Sequence, residues 1–150
     1  MKLFKKIDGT RVDVIKYSLD IIKNNPEVKI HIGTDSQNMG DSTIYVSVIA
    51  YRFGNKGVHY IYSKEKVSKI TDMWSRLWKE TEKTIEIAEW FSNQANSIKL
   101  ELDLDYNDDK FYRSNQLISA TKGWAESLGY KTNTKPEVCI AIRAADYHCC

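Results

Sequence analysis

At 150 residues the chain fits one domain, spanning residues 1–150, and is long enough to bury a substantial core. Hydrophobic residues make up 42% and charged residues 28%, as in an ordinary globular protein, and no apolar run is long enough to span a bilayer. The net charge of +2 excludes a global basic field, so any surface for nucleic acid has to be local.

In chain order, Thr10 is the expected cap of a first helix whose apolar face carries Val14, Ile15, Leu19 and Ile22. Asn24, Asn25 and Pro26 end it. The apolar run before Asp35 reads as a strand, followed by a turn at 38–41. Residues 44–53, rich in β-branched and aromatic side chains, form a second strand. The hairpin signal at 54–57 returns the chain along a third, 58–66. A long helix covers 71–94. The sharply alternating segment 97–105 is a fourth strand, with Ile98, Leu100, Leu102 and Leu104 on one face. A helix over 110–128 ends at Gly129, 130–134 is a short fifth strand, and Pro136 opens a terminal helix. Tight turns demand an antiparallel meander for strands one to three, and the later helices allow parallel crossovers. The expected fold class is therefore α/β: a mixed five-stranded sheet flanked by helices, with an added N-terminal helix.

Four acids stand out against this frame. Asp35 closes the first strand, where the bland alternative is an Asp capping its own turn. Glu80 shares a helix face with Leu77, Thr84, Ile87 and Phe91, whereas Glu82, Glu86 and Glu89 point roughly the other way. An acid on the inward stripe is desolvated unless a metal, a base such as Arg76 or Lys83, or an edge position relieves it. Glu101, Asp103 and Asp105 share one strand face, so periodicity does not choose among them. Asp146 follows Cys139 and Ile142 at helical spacing on the last helix. Carboxylates gathered together resist ionising unless a cation lies among them, and hard oxygen donors suit Mg²⁺ or Mn²⁺. His31 shares the strand face of Asp35 and is expected to be hydrogen-bonded within the sheet. Ser36 lacks the surroundings of a serine-hydrolase nucleophile.

The stretch Ile32-Gly33-Thr34-Asp35-Ser36-Gln37 resembles the signature of the YkuK-like family of RNase H-related predicted nucleases. Leu77-Trp78-Lys79-Glu80-Thr81, Leu102-Asp103-Leu104, Ser127-Leu128-Gly129, Lys135-Pro136 and Ala144-Ala145-Asp146 follow in the matching order. The likeness implies an RNase H-like fold with Asp35 on the central strand as the metal-bridging carboxylate, and Glu80, Asp103 and Asp146 as the remaining acidic positions. The implied activity is a nuclease, an endonuclease on RNA or RNA/DNA hybrid, hydrolysing phosphodiesters with two Mg²⁺ or Mn²⁺ ions about 4 Å apart.

For such a substrate, Lys64, Lys66 and Lys69 after the third strand, and Arg113 opposite, are candidates to grip phosphate. A junction-resolving DNA nuclease, or a non-catalytic nucleic-acid-binding module of the same fold, are the competing readings. Oligomeric state is not written in the residues. Residues 1–8 lack the apolar stretch of a signal peptide, and Cys139, Cys149 and Cys150 form no even-numbered framework. Both features suggest a cytoplasmic protein with no membrane partner.

Overall fold

In the computed structural model, residues 3–95, 98–107, 115–135 and 140–149 are described. The elements are β1 (Phe4–Lys5), β2 (Arg11–Val12), α1 (Val14–Asn24), β3 (Lys29–Met39), β4 (Ser42–Arg52), β5 (Val58–Ser68), α2 (Met73–Gln94), β6 (Leu100–Asn107), α3 (Asn115–Ser127), β7 (Lys131–Lys135) and α4 (Ile140–Cys149). They build one mixed sheet in the order β2-β1-β5-β4-β3-β6-β7. Strands β3, β4 and β5 form the antiparallel meander, and β6 and β7 run parallel to β3, as expected for tight turns followed by helical crossovers.

The sheet has seven strands rather than five. The two additions, β1 and β2, are two residues each and pair with one another, and β1 continues the sheet from the edge of β5. Strands that short carry no periodicity to detect. Their turn did leave a trace, Asp8-Gly9: Gly9 adopts φ 91°, and the Asp8 carboxylate accepts from the Thr10 N–H at 2.9 Å. Thr10 therefore belongs to this hairpin, and the cap of α1 is Asp13, which accepts from the Lys16 N–H. On α1, Leu19 is exposed, and the inward position is taken by Ser18, hydrogen-bonded to the Tyr51 hydroxyl at 2.6 Å. The opening of the last helix at Pro136 lies outside the described residues.

The two faces of the sheet are covered unequally. On one, Ile30, Ile32, Ile49, Tyr51, Leu102 and Leu104 pack with Ile87, Ala88 and Phe91 of α2 in the main core. On the other, Val46, Val48 and Ala50 form a smaller cluster with the buried Ala141 and Ala145 of α4, flanked by the partly buried Ile140 and Ala144. Small residues are required there. A Cβ at Gly33 would come within 3.0 Å of the Ala141 Cβ, 3.0 Å of the Asp103 carbonyl oxygen and 3.2 Å of the Ile142 Cδ1. Gly33 thus lets α4 lie directly on β3.

Candidate active site

Strand β3 runs on to Met39, so Asp35 is the seventh of its eleven residues, inside the sheet rather than at a turn. It pairs with Val46 and is only 7% exposed, with its Oδ1 accepting from the Ser36 N–H at 2.9 Å. Alternation along β3 puts Gly33 and Asp35 on the α4 face, and Thr34 and Ser36 on the α2 face.

Glu80 approaches β3 from that second side. It is 5% exposed, and its Oε2 accepts from the Ser36 hydroxyl at 2.5 Å. One turn further along α2, the hydroxyls of Thr84, Thr34 and Ser47 form a chain with spacings of 3.0 and 2.9 Å that fixes the helix to the sheet. Lys83 is ion-paired with Glu65 and lies 5.1 Å from the centre of the Tyr45 ring. Tyr45 pairs with Ser36 across the strands, and its hydroxyl is pushed up to about 12 by burial, with the charge of Glu80 adding to the effect. Asp35 and Glu80 therefore flank one point of β3 from opposite faces, one residue apart in register.

Asp103 is built differently. It is 0% exposed, and N–H groups claim both of its oxygens. Its Oδ1 accepts from His31 Nδ1 at 3.1 Å and from Asn133 Nδ2 at 2.9 Å, and its Oδ2 accepts from the Ala141 backbone N–H at 2.8 Å. The carboxylate thus joins β3, β7 and the start of α4 to β6. His31 is the hydrogen-bonded sheet histidine expected of it, wedged also within 3.9 Å of Glu101. Burial alone would raise the Glu101 carboxyl, but the Asn133 hydrogen bond and the nearby His31 and Lys131 outweigh it and hold the group below its ordinary value. An acid held by three N–H donors braces β6 against its neighbours.

Asp146 lies on α4 immediately after the buried Ala145, on the helix that Asp103 tethers; its side chain is outside the described set, as is that of Asp105. Among the described residues, no three His, Cys, Asp or Glu side chains gather closely enough to hold a metal ion. Lys64 and Lys66 are exposed on β5. Lys64 pairs with Val46, which pairs with Asp35, so Lys64 and Asp35 share a face two strands apart. Lys69 is exposed just beyond the strand, and Arg113 lies outside the described residues. Sequence reasoning did not reach Ser36 as the partner of Glu80, nor Asn133 and the Ala141 N–H as partners of Asp103. For Ser36 a signal existed, since its neighbour Asp35 must point to the other face. Nothing in the sequence marks Asn133.

An antiparallel meander continued by parallel strands, with helices on both faces and an acid inside β3, is the arrangement of a ribonuclease H-like protein. The family model described as Ribonuclease H-like matches residues 13–149, and the chain belongs to that family. No curated protein matches it. Among the described residues, no helix is long and apolar enough to cross a membrane.

Proposed function

We propose that this chain is a divalent-metal-dependent nuclease, an endonuclease cutting RNA or RNA/DNA hybrid, with Asp35 as its central ligand. The observation that carries this reading is the nearly buried Asp35 carboxylate inside β3, with Glu80 held against the same strand by Ser36. Buried acids of this kind call for positive charge. The donors are all carboxylate oxygens, which fit Mg²⁺ or Mn²⁺ rather than a softer metal.

Asp35, Glu80 and Asp146 are the proposed ligands, with Asp103 or Asp105 as the fourth. The three N–H donors on Asp103 favour Asp105. The parallel register between β3 and β6 pairs Gly33 with Asp103, two residues before Asp35 on β3 and two before Asp105 on β6. In this reading Asp103 positions α4, and through it Asp146, by holding the Ala141 N–H. Two bound ions would supply an acidified water and neutralise charge on the departing oxygen. Ser36 keeps Glu80 turned toward β3, while Lys64, Lys66 and Lys69 hold the phosphate backbone without reading its sequence. Arg113 is proposed for the same task.

Cleavage of labelled RNA, DNA and hybrid in Mg²⁺, Mn²⁺ or EDTA, beside Asp35→Asn, tests the proposal. Losing several kcal/mol of transition-state stabilisation should slow the variant on the order of 10³-fold. Cleavage that survives the substitution would reject Asp35 as the central ligand. Binding without cleavage in the unaltered protein would instead make the chain a binding module, and cutting confined to branched DNA would make it a junction-resolving enzyme.

A further inference from the structure

The N-terminal hairpin adds something to the sheet that the cleavage reading does not use. A groove of about 420 Å³ opens where β1 meets the edge of β5, lined among others by Lys5, Arg11, Tyr62, Ser63, Lys64 and Glu65. Cross-strand pairs share a face, and one row of pairs runs Arg11, Lys5, Tyr62, Val48, Gly33, Asp103 across six strands. Arg11 and Lys5 therefore stand on the same face as Asp35. Their chain neighbours, Phe4 and Val12, turn to the other face, where Phe4 is fully buried in the main core. The cations are held there by a fixed strand.

The charge of the groove is uncompensated. Lys5, Arg11 and Lys64 are exposed, and among the described residues no carboxylate pairs with any of them. Its one acid, Glu65, points to the opposite face and is ion-paired with Lys83. Tyr62 forms an apolar floor, stacked on His148 of α4 with ring centres 3.9 Å apart. Three exposed cations on one face, beside an aromatic floor, suit a chain of phosphodiesters.

We propose that this groove is a second phosphate-binding subsite, which grips the nucleic-acid backbone at a distance from the bond cut; it rests on the nuclease reading for its substrate class. At about 4.8 Å per strand, Lys64, Lys5 and Arg11 lie roughly 10, 14 and 19 Å across the sheet from Asp35. With about 3.4 Å of rise per nucleotide, these are the phosphates roughly three to six nucleotides away.

The test is the salt dependence of binding by Lys5→Gln/Arg11→Gln, measured in EDTA on the full chain with RNA, DNA and hybrid oligonucleotides of graded length. Each lost phosphate contact lowers the slope of log K against log salt by about 0.7 to 0.9, so the double variant should lose about 1.4 to 1.8. On oligonucleotides too short to reach the groove, variant and unaltered protein should bind alike. Thermal unfolding at an unchanged temperature excludes a folding defect, and Lys5→Ala/Arg11→Ala serves as a second pair should it shift. An unchanged slope, or a loss equal at every length, overturns the subsite. If the unaltered protein binds with the expected slope change but does not cut, the nuclease reading fails and the subsite survives. If it cuts and the slope is unchanged, only the subsite fails, and if it binds no nucleic acid both fail.

Discussion

The two faces of the sheet solve different problems. Toward α2, β3 and β6 present Ile30, Ile32, Leu102 and Leu104 to a helix carrying Ile87, Ala88 and Phe91, and the core there is broad and apolar. Toward α4, the same two strands present His31, Gly33, Asp35 and Asp103, and the helix answers mainly with alanines, Ile142 and a backbone N–H. One face gains its stability from apolar area removed from water. The other forgoes that area for buried polar groups, which must then be satisfied one by one. Damage to the first face should therefore read as lost stability, and damage to the second as lost geometry at Asp35 and on α4.

The largest effect on folding is expected from Phe91→Ala. Phe91 is fully buried under the sheet, and its truncation leaves a cavity costing about 3–5 kcal/mol. Urea unfolding should show the midpoint fall, while the proposed metal-dependent cleavage per folded molecule, assayed cold, stays near that of the unaltered chain. A loss of cleavage out of proportion to the unfolded fraction would break the division between the faces.

Gly33→Ala attacks the other face at its tightest point. The added methyl meets the Asp103 carbonyl oxygen and the Ala141 Cβ, both 3.0 Å away, and neither belongs to a flexible side-chain end. Relief requires α4 to shift from β3 and the Asp103–Ala141 hydrogen bond to stretch. Overpacking of this kind costs about 1–3 kcal/mol, less than the Phe91 cavity. Cleavage should nevertheless fall further than in Phe91→Ala, because the shift moves Asp146 relative to Asp35. Equal activity losses in the two variants would mean that the seat of α4 does not govern the site.

The asymmetry also governs what could be read in advance. The meander, the parallel crossovers and the inward placing of Glu80 follow from local pattern: turn residues at 54–57, period two on β6 and period 3.6 on α2. Gly33, two residues before Asp35, is where α4 comes closest to the β3 backbone. The hydrogen-bond partners of Asp103 were not legible. Three acids alternate on β6, and what separates them is long-range pairing: Asn133 and Ala141, thirty and thirty-eight residues downstream, happen to aim N–H groups at Asp103. Strands β1 and β2 escaped for a different reason, since two-residue strands exist only by virtue of the edge they join. The exposure of Leu19 reflects tertiary context too, because Ser18 found the Tyr51 hydroxyl and rotated the inward face of α1.

The smallest predicted effect tests the apolar side electrostatically. His59 pairs across the strands with Tyr51, stacks on its ring with centres 6.0 Å apart, and hydrogen-bonds the Tyr17 hydroxyl of α1. Burial holds its imidazole below the ordinary histidine value, and the nearby Lys6 lowers it further. Unfolding frees the ring to take up a proton, so between the folded value and about 6.5 the unfolded chain binds more protons than the native one. Stability from this group is complete above about pH 6.5 and drains away as the pH falls through the depressed folded value. The urea midpoint should therefore decline from about pH 7.5 to about pH 5, and His59→Gln should flatten that decline. A decline of the same steepness in His59→Gln would show that the proton uptake belongs elsewhere in the fold, and that the side of the sheet carrying most of the apolar core contributes little to it.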